Sequence, residues 1–194
     1  MSSRSKILDA IKKNKPQLSP LPEIPEFDNS TVDKVAFLKE VMSIIGGVLE
    51  EIKDMDALPS AVEAAYPNKK VIGANIENFP LTTLDINSIE DPHDLKDLDL
   101  IVLKGEFVVA ENGAVWISEK DLVHRANAYI TQHMALVVNR EDLIWNMHQA
   151  YKRFELDRPG YGVFISGPSK TADIEQSLVI GAHGSRSMTL FLVG

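Results

Sequence analysis

The chain has 194 residues, 44% apolar and 25% charged, the balance of an ordinary globular protein, which excludes disordered, collagenous and disulfide-framework classes and predicts one compact core. Its 20 basic and 28 acidic residues leave a net charge of −8, so it has no general electrostatic attraction for nucleic acid. The absence of cysteine removes thiolate nucleophiles and cysteine-ligated zinc or iron–sulfur clusters from this chain, and with no apolar run of membrane-spanning length a cytoplasmic location is expected.

Arg4, Lys6, Lys12, Lys13 and Lys15 face a single acid, Asp9, while Ile7, Leu8 and Ile11 form a narrow stripe, so residues 1–15 are predicted to be a short basic amphipathic helix. Pro16, Pro20, Pro22 and Pro25 each fix φ and lack a donor, which predicts an extended tether over 16–29. The α/β domain is expected over 30–194. Ser30 and Asp33 have capping-box spacing, and Val35, Leu38, Met42 and Ile45 follow at helical steps up to Gly46 and Gly47. A strand is predicted at 48–52, a helix over 56–66 entered through Pro59, a strand at 71–74, and mainly loop from 75 to 92.

The second half is more regular. Leu100 to Leu103 reads as a doubly buried strand, 107–110 and 114–117 as a hairpin about Glu111-Asn112-Gly113, and 134–138 as a further strand. Asn139 is placed to cap a helix whose face carries Leu143, Ile144, Met147, Tyr151 and Phe154, broken at Pro159. Strands at 162–165 and 188–193 enclose a loop and a helix over about 171–180. This alternation predicts an α/β fold with a mostly parallel sheet covered by helices.

Three segments carry chemistry. Gly167, Ser169, Lys170 and Thr171 lie where a strand should give way to a helix, so hydroxyls, an ammonium and free amides converge on a place for a phosphate or carboxylate, although the Walker spacing is absent. The alternative is simply a well-capped helix. His183 and Arg186 stand in a glycine-flanked loop and could share an anion, yet this loop precedes its strand. If residues 188 and 162 run parallel in one sheet, it falls at the opposite edge from 166–171. Glu111, with Asn112 and Gly113, is either an exposed hairpin glutamate or a nucleophile or base beside backbone amides. The remaining histidines have no metal-binding spacing, and no metal is expected.

The run Gly105-Glu106-Phe107-Val108-Val109-Ala110-Glu111-Asn112-Gly113-Ala114, the segment Gln132 to Val137, and Ile165 to Glu175 followed by Gly181 to Arg186 resemble the lactate-utilisation protein C family, also called the LUD-domain family. The resemblance implies a three-layer α/β sandwich like that of the glucosamine-phosphate deaminase, ribose-phosphate isomerase and CoA-transferase group. It further implies an accessory role in oxidising L-lactate to pyruvate, beside partner subunits that carry the iron–sulfur clusters. The cysteine-free composition agrees with that division of labour, with no cofactor bound by this chain and a small anionic metabolite as its ligand. Homo-oligomerisation stays open. Ala110-Glu111-Asn112-Gly113 also looks like the Ser-Glu-Asn-Gly segment of class I CoA-transferases, which keeps an alternative: a stand-alone acyl or CoA transferase, or a sugar-phosphate enzyme, using Glu111.

Overall fold

The computed structural model describes residues 2–20, 22–27, 32–153, 160–170 and 179–194. At the N-terminus Ser2 accepts from the Ser5 amide and starts helix α1 (Ser3–Lys13), which buries none of its residues. Asp33 starts helix α2 (Lys34–Ile44) by accepting from the amides of Val35 and Ala36, and Gly46, at φ 81°, takes the left-handed conformation that ends it. The apolar face of α2 buries Leu38 and Met42.

Five strands build the first sheet: β1 (Val48–Ile52), β2 (Ile72–Ala74), β3 (Leu100–Lys104), β6 (His133–Asn139) and β9 (Ser187–Val193), arranged β1-β9-β6-β3-β2 with every pairing parallel. Its inner strands are short β-branched and leucine-rich runs that bury both faces, whereas the edge strand β1 buries only Leu49. Helix α3 (Leu58–Ala65) covers one face, where Leu58, Val62 and Tyr66 meet Leu100, Val102, Ala135, Val137 and Phe191. On the other face Ile101, Leu103, Met134, Leu136, Met188 and Leu190 pack against α2 and a second sheet. Each such buried side chain contributes about 1.5–3 kcal/mol.

The second sheet contains β4 (Phe107–Val109), β5 (Ala114–Ser118), β7 (Leu143–Ile144) and β8 (Gly162–Ile165), in the order β7-β4-β5-β8. The hairpin β4–β5 and the pair β5–β8 are antiparallel, whereas β7 runs parallel to β4. Its outer face packs Phe107, Val109 and Trp116 against Ala150 of helix α5 (Met147–Arg153). Helix α4 (Glu119–Leu122) continues β5 and buries Leu122.

The long helix predicted from Asn139 is not formed. Leu143 and Ile144 pair with Val108 and Val109 as a strand, the Asn139 amide side chain bonds Asp142, and among the described residues the α-helical part is Met147–Arg153, with Phe154 outside them. An apolar face at helical steps was outweighed by the free edge of β4, which offers Ile144 and Trp145 carbonyls partners in the amides of Ala110 and Glu111. Of the helix predicted over 171–180, residues 171–178 lie outside the described residues, and Ile180 makes an isolated antiparallel bridge with Lys170.

Candidate functional site

The hairpin turn after β4 is held by bonds its own residues supply. The Gly113 amide donates to Val109 O (2.9 Å), the Ala114 amide to Asn112 Oδ1 (3.0 Å), and Gly113 adopts φ 66°. A Cβ at Gly113 would sit 2.7 Å from Ile45 Cδ1 and would have to displace that side-chain tip, while φ 66° itself favours glycine here. Ser166, directly after β8, donates its hydroxyl to Asn112 O (2.7 Å) and ties the 166–170 loop to the same turn. Gly167, at φ 76°, passes against the Ile45 carbonyl, to which Lys170 Nζ donates.

The glycine–histidine loop reaches the same place. The Ser169 amide donates to Ser185 O and the Gly181 amide to Ser169 O, each at 2.9 Å, while a Cβ at Gly184 would stand 3.1 Å from both Ser169 Cβ and Tyr129 O. The expected separation to opposite edges therefore does not occur. Residues 162 and 188 belong to different sheets, and the exit of β8 meets the start of β9. Tyr129, Phe164, Ser169, Lys170, His183 and Ser185 border a concavity of about 250 Å³ here. The Tyr129 hydroxyl lies 2.6 Å from that of Tyr161, and burial first, then this hydrogen bond, pushes it up to about 12, so it stays protonated.

Glu111 belongs to a different concavity. Its Oε2 accepts from the Met147 amide (2.9 Å) at the start of α5, and with Phe27, Phe37, Trp145, Asn146 and His148 it borders about 310 Å³. Phe27 of the tether stacks on His148 with ring centroids 5.3 Å apart. Thus Asn112 and Gly113 join the loop cluster through their backbone, whereas the Glu111 carboxylate turns to the aromatic side. Arg186 is exposed, its amide bonded to Gln132 O (2.8 Å), and it does not border either concavity; Thr171 lies outside the described residues. Tyr129 was missed in sequence because it closes an irregular turn with no hydrophobic period.

No group of histidine and acidic side chains among the described residues is arranged to hold a metal ion, and no helix there is long and apolar enough to cross a membrane. The sequence matches the LUD domain over residues 4–193. The chain belongs to the LUD domain family. It is similar to the lactate utilization protein C of Oceanobacillus iheyensis, 26% identical over 151 residues, an alignment spanning 66% of this chain and 65%, just under two thirds, of that relative. The protein of the same name from Shouchella clausii is 31% identical over 91 residues, 44% of this chain and 40% of its own length. In structure, this LUD domain is similar to a DUF162 family protein from Deinococcus radiodurans with a TM-score of 0.64 and 16% identity, covering 83% of this chain and 96% of that one, a likeness of fold.

Proposed function

We propose that this LUD-family chain serves lactate utilisation as an accessory subunit in the oxidation of L-lactate to pyruvate, working beside iron–sulfur partner subunits and binding a small anion. The observation that carries the reading is the family match across residues 4–193, whose relatives bear the name lactate utilization protein C. The concavity bordered by Ser169, Lys170 and His183 supports an anionic ligand, since it joins a hydroxyl, an ammonium and an imidazole beside the neutral Tyr129 hydroxyl. Electrons would pass through the partners, because a cysteine-free chain has no thiolates to hold a cluster.

Deleting the gene is expected to abolish growth on L-lactate while sparing growth on pyruvate, and co-purification from lactate-grown cells should recover cysteine-rich partners. Normal growth of the deletion strain with lactate oxidation intact would refute the role. Complementation with Lys170→Gln or His183→Asn tests the concavity.

A second reading has one observation in its favour: Glu111 borders its own cavity, as an acyl-accepting carboxylate would. Incubation with acyl-CoA and hydroxylamine is then expected to modify Glu111, and an unmodified protein removes the transferase. The Met147 amide already held by Oε2 favours the first reading.

A further inference from the structure

The parallel register brings the starts of four neighbouring strands into one row. Ser187 of β9 lies opposite His133 of β6, His133 opposite Leu100 of β3, and Leu100 opposite Ile72 of β2. Lys69 and Lys70 precede β2, Asp99 precedes β3 and Arg186 precedes β9. By the pleat, His133 and Ser187 point to the same face as Ala135, Val137 and Phe191, the α3 side, away from the 166–170 concavity. We propose that this row is a second anion site, where Lys69 receives a small phosphate- or carboxylate-bearing molecule beside His133, with Arg186, whose Cβ and Cγ pack by Gly181, adding positive charge at the rim.

The hydrogen bonds define the state of the row. Lys69 Nζ is a donor only and lies 2.9 Å from His133 Nε2, so that nitrogen accepts; the ring proton is then on Nδ1 and is donated to Ser187 Oγ, 2.8 Å away. Having accepted, the Ser187 hydroxyl turns its own hydrogen toward the Tyr66 oxygen. Below it the Tyr66 hydroxyl donates to Met134 O (2.8 Å) and contacts Thr189 Oγ1 (2.9 Å), and so closes the floor.

The charges are unbalanced in a telling direction. Among the described residues neither Lys69 nor Arg186 has a carboxylate within ion-pair distance, in a protein whose net charge is −8. Asp99, the acid facing the row, spends Oδ2 on the amides of Lys70 (2.9 Å) and Val71 (3.0 Å). Burial, then Lys69, then Arg186 push the His133 imidazole below its ordinary range against the opposing pull of Asp99. Cations that repel an imidazolium attract an oxyanion, and an oxyanion held at Lys69 would let His133 protonate more readily.

The inference stands apart from the lactate reading and can fail separately from it. The full-length, ¹⁵N-labelled chain is titrated by NMR with inorganic phosphate, L-lactate and pyruvate in turn, with H133Q assigning the ring signals. At least one of the three is expected to raise the His133 titration midpoint by about one pH unit. K69Q or R186Q should weaken the response about tenfold and H183N should leave it in place. Phosphate acting alone identifies a phosphorylated ligand, and lactate or pyruvate acting alone a carboxylate. Lys69 and Arg186 are not fully buried, so both variants should fold, checked by an unchanged circular dichroism spectrum. A midpoint unmoved by all three anions overturns the site, as does an undiminished response in the K69Q/R186Q double variant or a response lost in H183N.

Discussion

In the five-stranded sheet every strand runs parallel, and between α3 and the second sheet its central strands bury nearly every residue. In the four-stranded sheet the directions are mixed, and edge strand β8 is only half-buried along its whole length. The first sets His133 and Ser187 at neighbouring strand starts, with Lys69 just before β2; the second sends its loops out at its exits, where Ser166 to Lys170 leave β8. Rigidity thus comes from one sheet and adjustable chemistry from the other, and the concavity lies where they touch.

The contrast is sharpest in core truncation. Leu136→Ala, in the central strand β6, is expected to cost about 2–5 kcal/mol in urea unfolding. Phe164→Ala in half-buried β8 should cost about 1–2 kcal/mol, the share of a full burial that its exposure leaves. Equal losses would break the comparison. At the contact of the two sheets, Gly113→Ala must hold φ 66° and displace Ile45, an expected loss of about 1–3 kcal/mol measurable by thermal unfolding. The expected companion change is weaker anion binding at the neighbouring loop.

A smaller effect belongs to the start of the parallel sheet. His133 is harder to protonate in the folded state than in the unfolded chain, where its value is the ordinary 6.5, so the unfolded state binds more protons as pH falls. Its stabilising contribution is complete above about pH 6.5 and is lost progressively as pH falls below that value. Melting temperatures measured from pH 8 to 5 should therefore decline less steeply for H133Q than for the native chain. The smallest change expected is Lys170→Gln: the ammonium is exposed, so its bond to Ile45 O should be worth under about 1 kcal/mol, and the main consequence should be a more mobile loop by hydrogen exchange.

Much of the fold was legible in the chain. Leu100 to Leu103 and Met188 to Val193 announce buried strands because a parallel sheet needs apolar side chains on both faces, and Gly46 marks the end of α2; its start is capped by Asp33 itself, while Ser30 of the expected capping box lies outside the described residues. The candidate site was legible in part: Gly113, Gly167 and Ser169 were found through turn chemistry. The grouping of the 166–170 loop with residues 181–185, the turn of Glu111 toward α5, and the Lys69–His133–Ser187 row were not legible there. Each depends on which strands share a sheet.

Sequence by itself determined the thiol-free chemistry, the negative charge, the α/β alternation and the places where the backbone must bend, all of which are set by residue type or by neighbours a few positions apart. Tertiary structure decided that Leu143 and Ile144 form a strand rather than a helix, and that Glu111 and Ser169 face separate concavities. Those outcomes turn on which distant hydrogen-bonding edge and which apolar face a segment finds, and a period along the chain does not encode that choice.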